Sequence, residues 1–156
     1  MIRQFSSFYL GESMFGIDVL LVREINRNLD ITPVDPSPDF VKGLMNLRGQ
    51  IVTVTDLGVR LNLNNRERTK STCCIVLKTE KELERITDEG LITEKTSKDT
   101  VGLLVDQISD MISIDELEIE APPANMNGVD GKYLGGVIKL ERDLLATLKI
   151  SEILTL

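Results

Sequence analysis

The stretch Gly43–Leu57, Gly-Leu-Met-Asn-Leu-Arg-Gly-Gln-Ile-Val-Thr-Val-Thr-Asp-Leu, limits what this chain can fold into more than any other. From Ile51 to Thr55 the residues alternate, so Ile51, Thr53 and Thr55 face one side of a strand and Val52 and Val54 the other. A second short apolar run, Gly43 to Leu47, precedes it, with Arg48-Gly49 between the two. Gly49 can take the positive φ that a tight reversal needs. The pattern predicts a β-hairpin that presents the charge of Arg48 at its bend. Gly43 and Gly49 read as structural positions of this hairpin. Asp56 reads as the N-cap of a short helix over Leu57–Leu61.

The pattern occurs twice. Gly43–Leu57 aligns without a gap on Gly136–Ile150, and Gly16–Ile25 aligns on Gly102–Met111, which makes Gly102 and Gly136 structural counterparts in the second half. Each half reads strand, turn, strand, extended segment, proline-containing loop, hairpin, short helix. A duplication of this kind implies two similar five-stranded units, each too small for a core of its own and therefore packed together. Short strands separated by turns favour small barrels, which leave few exposed edges. The expected fold class is all-β, two five-stranded β-barrel subdomains with a few short helices. The subdomains fall at roughly 1–61 and 72–156, with 62–71 as a polar connection between them.

Further strands are expected at 3–10, 14–18, 72–77, 100–105, 105–114, 134–140 and 144–150. Val19–Ile25 reads as a strand, or as a helical turn followed by one. Asp39 is placed to cap a single turn through Phe40–Lys42, and Ser151 to cap a final helix over Glu152–Leu156. The charged excursion 78–99 reads either as an extended hairpin turning at Asp88-Glu89-Gly90 or as a short exposed helix around Glu80–Ile86. Both readings make it a solvated surface segment.

Composition narrows the function classes. At 156 residues, with 42% hydrophobic and 28% charged residues, the chain can bury a real core, and 4% aromatic content makes that core aliphatic. A net charge of −7 argues against nucleic acid or an anionic membrane as partner. No apolar leader or membrane-length apolar run is visible, so direct membrane insertion is not expected. Cys73 and Cys74 are neighbours that point to opposite faces of a strand, cannot readily bridge, and read as small buried residues of a reduced, cytoplasmic protein.

The sequence contains no histidine, which removes the usual general base, phosphoacceptor and zinc ligand together. No metal or cofactor site is expected. The carboxylate pairs Asp115-Glu116 and Glu118/Glu120 lie in a polar stretch without an evident cleft. A non-enzymatic interaction module is the reading that remains.

Phe40–Leu57 resembles the signature of the CheW family, the adaptors of bacterial chemosensory arrays. Tyr9–Asp18 resembles that family's first hairpin, Val22-Arg-Glu-Ile25 its next segment, and Val101–Ile112 a later strand pair, in the same order. The resemblance implies SH3-like barrels and a scaffold that couples the cytoplasmic tips of methyl-accepting chemoreceptors to the regulatory domain of the histidine kinase CheA. Other CheW-like domains join the implied partners. It places the cytoplasmic protein at receptor arrays and implies a receptor-binding groove formed by Val22, Glu24, Arg48, Cys73 and Met111. Read without the family, Val22, Cys73 and Met111 are ordinary core residues. Arg48 is then an exposed hairpin charge or a tie to neighbouring carbonyls.

Three features depart from the family pattern. They are the excursion 78–99, Thr53 where a proline is common, and Glu141-Arg142-Asp143 at the last hairpin. Two alternatives stay open at this level: a barrel module binding a small ligand between subdomains, and a paralogue serving a non-chemotaxis array.

Overall fold

The computed structural model describes residues 1–86 and 94–155. The first half runs β1 (Ile2–Leu10), β2 (Ser13–Asp18), a 3-10 turn at Val19–Leu21, β3 (Val22–Asn26), β4 (Ile31–Thr32), β5 (Val41–Leu47), β6 (Gln50–Asp56) and α1 (Leu57–Arg60). The second half runs β7 (Cys73–Leu77), α2 (Glu80–Glu84), β8 (Val101–Val105), β9 (Gln107–Asp115), β10 (Asn125–Met126), β11 (Val129–Asp130), β12 (Leu134–Lys139), β13 (Leu144–Leu148) and α3 (Ile150–Leu154).

The protein is mainly β, as the alternation requires, and it has two principal sheets. One has the order β12-β13-β2-β1-β9, the other β3-β7-β8-β6-β5-β4, the sixth strand being the two-residue β4. The boundary drawn at 62–71 does not separate these sheets. The first combines β1 and β2 with three strands from beyond residue 72, and the second combines β7 and β8 with strands from before residue 61.

The halves have exchanged their first hairpins. Gly102 of β8 pairs in parallel with Val54 of β6, and Gly16 of β2 pairs in parallel with Thr147 of β13. These residues are counterparts in the repeat, Gly102 of Gly16 and Val54 of Thr147. The bulges agree as well: the register slips just before Gly43 in one hairpin and just before Gly136 in the other. A composition pattern cannot reveal such an exchange, because a strand looks the same whichever hairpin it joins.

Three apolar clusters follow from this arrangement. Met45, Leu47, Val52, Val54, Cys74, Val76 and Leu104 form one cluster within the second sheet, while Phe5, Met14, Ile138 and Leu145 form another within the first. The largest cluster lies between the two and draws Phe8, Phe15 and Ile17 from one sheet and Ile75, Leu77 and Leu103 from the other. β7 shows the logic most clearly. Cys73, Ile75 and Leu77 face the central cluster while Cys74 and Val76 face the second sheet's own interior, so an unbroken apolar run is buried on both faces.

The helices are short and held by specific contacts. Asp56 accepts from the Val59 amide and caps α1. Arg60, in the last turn of α1, donates to the Ile153 carbonyl at 2.8 Å and to the Tyr133 hydroxyl at 2.8 Å, binding α1 to the end of α3. Two helical expectations shift. The turn near Phe40 is shorter than expected: it closes at Asp39-Phe40, where the Val41 amide donates to the Pro38 carbonyl at 3.0 Å, and Val41 then enters β5 directly, with the Asp56 amide bonded to the Phe40 carbonyl at 2.7 Å. Ser151 lies inside α3 instead of capping it, since Leu148 ends β13 and the helix begins at Ile150.

The described parts of the excursion, 78–86 and 94–99, are tied to the rest of the fold. Thr79 and Glu82 form a reciprocal capping box that starts α2, Leu83 is buried, and the Glu80 amide donates to the Ser97 carbonyl at 2.9 Å, tying the two stems together. Because Leu83 is helical, the hairpin alternative loses its first strand. The turn proposed at Asp88-Glu89-Gly90 lies outside the described residues.

Candidate partner-docking site

The bend at Arg48-Gly49 is a two-residue reversal: Leu47 pairs with Gln50, and φ is +52° at Arg48 and +86° at Gly49. Two successive positive values match the turn that suits the twist of paired strands. Asn46 secures it by accepting the Gly49 amide at 2.8 Å. Lower in the hairpin, Gly43 has φ +147°, and a β-carbon there would lie 2.1 Å from the Thr32 carbonyl oxygen of β4. Gly102 allows an equally close approach beneath the site, where a β-carbon would meet Cys74 Sγ at 2.3 Å. At Gly136 the same addition would come within 2.9 Å of the Glu120 carbonyl oxygen.

Arg48 does not extend freely into solvent. Its Nη1 donates to Glu24 Oε1 at 3.2 Å and its Nη2 donates to Glu24 Oε2, a two-point contact of planar guanidinium with planar carboxylate. Glu24 belongs to β3, which the sheet order separates from β6 by β7 and β8, so the contact reports a sheet curled far enough to bring its members face to face. The hydrogen bonds that Arg48 donates to Glu24, and then the charge of Glu24, push the Arg48 pKa up and keep the cation in place. The arginine side chain remains 69% exposed against 25% for Glu24. Donors not used by Glu24 therefore remain open to a partner, on a side chain whose orientation is already set.

The other expected groove residues separate. Val22 is half-buried on β3 and packs against the central cluster. Cys73 is fully buried in that cluster, so it supports the surface from beneath and offers no contact of its own. Burial pushes its thiol upward, partly offset by the charge of Arg27 and by the Ile108 amide. Burial, with the charges of Cys73 and Glu24, drives the Cys74 thiol up to about 12. Neither sulfur is a thiolate at neutral pH. Met111 is not core at all: it stands 60% exposed on β9, the outer strand of the other sheet. The structure thus joins Glu24 to Arg48, sets Val22 and Cys73 behind them, and places Met111 on a different sheet.

Sequence reasoning missed Arg23 and Gln50. Arg23 Nη1 donates to Gln50 Oε1 at 2.7 Å, immediately beside the bend, and the same guanidinium holds Glu82 of α2. The Thr79-x-x-Glu82 spacing was a legible capping signal, but nothing in the sequence pointed Glu82 at Arg23.

The geometry can be set beside known proteins. The profile of the CheW-like domain matches residues 4–156. The chain belongs to the CheW-like family. Among its relatives are the chemotaxis protein CheW of Treponema pallidum, 28% identical over 96% of this chain and 81% of that protein. The chemotaxis protein CheW of Klebsiella aerogenes is 30% identical over 98% of this chain and 82% of that one. The crystal structure of the scaffolding protein TtCheW from Thermoanaerobacter tengcongensis superposes with a TM-score of 0.81 at 27% identity, covering 100% of this chain and 90% of its own. A CheW-like scaffold built of two β units accounts for both sheets, and the likeness extends through the excursion-bearing second half.

Among the described residues no group of three or more cysteine and acidic side chains is placed to hold a metal ion, and no helix is long and apolar enough to cross a membrane. A cleft of about 280 Å³ is lined by Lys42, Asp56, Arg66, Arg68 and Asp106. Its charges answer one another: Arg66 Nε donates to Asp106 Oδ2 at 2.5 Å and Nη2 lies 3.9 Å from Asp56.

Proposed function

We propose that this CheW-like protein is a non-enzymatic adaptor of a chemosensory array, coupling the cytoplasmic tips of chemoreceptors to the regulatory domain of the kinase CheA. The bidentate Glu24–Arg48 pair at the hairpin bend carries the reading, because it is an exposed, pre-oriented recognition group. A receptor helix laid along this surface would meet the remaining guanidinium donors, and the half-buried Val22 would give its apolar face a seat. Signal passes through docking and release, with no covalent step. Cys73 contributes packing beneath the site, and Met111 belongs to a second surface on the other sheet. Kinase and receptor then engage separate faces of one rigid body.

The test is titration of a receptor-tip fragment and of the kinase regulatory domain with the wild-type chain and with Arg48→Ala. The adaptor reading expects binding in the micromolar range, an affinity of about −8 kcal/mol or somewhat weaker. Arg48→Ala weakens receptor binding and leaves kinase binding and Tm nearly unchanged. Loss of Tm with no selective effect on receptor binding would reduce Arg48 to a structural tie.

A further inference from the structure

Helix α2, in the charged segment, is fastened beside Arg48. In the pairing of β3 with β7, Val22 opposes Leu77 and Glu24 opposes Val76, so Arg23 is the extra residue of a bulge. Its guanidinium works in two directions. Nε donates to Glu82 Oε2 at 3.1 Å and Nη2 donates to Glu82 Oε1, while Nη1 reaches Gln50 Oε1 at 2.7 Å. Gln50 directly follows the bend and pairs across it with Leu47.

Glu82 is itself restrained. It accepts from the Thr79 amide at 3.1 Å and from the Thr79 hydroxyl at 3.2 Å within the capping box of α2. The far stem of the segment is anchored too, because the Glu94 carboxylate accepts from the Ser151 amide at 3.3 Å at the start of α3. Two struts therefore run from consecutive residues of β3 to the two sides of one bend. Glu24 holds Arg48, and Arg23 holds Gln50 and links it to α2.

We infer that Arg23 is a positioning residue through which the charged segment sets the orientation of Arg48 and so tunes the docking site for its partner helix. The physical reason is leverage. A hairpin bend held by Glu24 alone can pivot about that contact, and the Arg23–Gln50 bond removes the pivot. Because Arg23 is held in turn by Glu82, the position of α2 is transmitted to the bend. The inference rests on the reading of Arg48 as partner-facing, and it gives the segment a role in selecting among receptors that a simple surface loop would lack.

The experiment uses the full chain, a receptor-tip fragment as probe, and amide hydrogen exchange at Gly49 and Gln50. Arg23→Gln and Glu82→Gln are each expected to weaken receptor binding about three- to tenfold. The double variant is expected to be no worse than the worse single, because both act through one joint. Exchange at Gly49 and Gln50 speeds up in both, Tm stays close to wild type, and Lys81→Ala, on the exposed side of α2, changes nothing.

If Arg48→Ala weakens binding while Arg23→Gln and Glu82→Gln bind and exchange like wild type, the positioning role is overturned and the adaptor reading stands. If Arg23→Gln speeds exchange at the bend but receptor binding ignores Arg48→Ala, the docking reading fails, and the tuning role fails with it.

Discussion

Arg48 and Gly102 mark the two ways a single residue matters in this chain. Arg48 contributes by where its donors point, and Glu24 supplies the orientation. Gly102 contributes by what is missing: Cys74 Sγ and Val52 Cγ1 occupy the space a β-carbon would need, at 2.3 and 3.1 Å. Both neighbours are fully buried, so neither can move aside cheaply. Gly102→Ala is expected to destabilise the protein by about 1–3 kcal/mol, measured by urea denaturation, while receptor affinity of the folded fraction stays at the wild-type level. Arg48→Ala should show the opposite profile, unaltered stability and lost affinity. The two variants separate packing from recognition within one sheet.

The helices depend on side chains from distant segments, and two of these carboxylates predict opposite responses to pH. The hydrogen bond from Arg23 leads the causes that lower the Glu82 pKa below the ordinary 4.5. Its contribution to stability is therefore present above that value and lost as pH falls through the lowered one. Because Glu82 is part-exposed the effect is small: Glu82→Gln should lower Tm only slightly at neutral pH, and that slight gap should close as pH falls below the ordinary carboxylate value.

Glu94 behaves the other way, since burial raises it above 4.5 despite the amides of Ser151 and Ile150. The folded state takes up its proton more readily than the unfolded chain, so this residue's contribution falls as pH rises from 4.5 through the raised value. Glu94→Gln keeps an acceptor for the Ser151 amide and removes the buried charge. Its Tm at pH 7 should equal or exceed that of wild type, with the difference vanishing near pH 4.5. Glu94→Ala leaves the start of α3 without its acceptor, and its Tm should be lower. Thermal melts between pH 4 and pH 8 measure all three at once.

At the scale of the whole molecule, the exchanged hairpins make the two sheets one folding unit. Each sheet needs strands from both sides of residues 62–71, and the central cluster draws on both sheets. Fragments 1–69 and 70–156 should each be largely unfolded alone by circular dichroism. Mixed, they should regain β structure, with the parallel pairs of β6 with β8 and β2 with β13 forming between chains. Independent folding of either fragment would refute this interdependence. The same arrangement suits an adaptor, because the two sheets are linked through a single core and not through a flexible tether.

The hairpin at Arg48-Gly49, the capping role of Asp56 and the opposite facing of Cys73 and Cys74 were legible from residues alone, because alternation, turn chemistry and caps are local. The repeat was legible too, as apolar spacing survives where identity does not. The exchange of hairpins between halves was not, since strand pairing is decided by which apolar faces meet in space. Nor was the exposure of Met111, whose neighbours in sequence resemble those of a core strand while its place at a sheet's edge leaves it open. Arg48 was identifiable as a presented charge. That Glu24 aims it, and that Arg23 fastens a distant charged helix to the same bend, depended on a curled sheet bringing β3, the β5–β6 hairpin and α2 together.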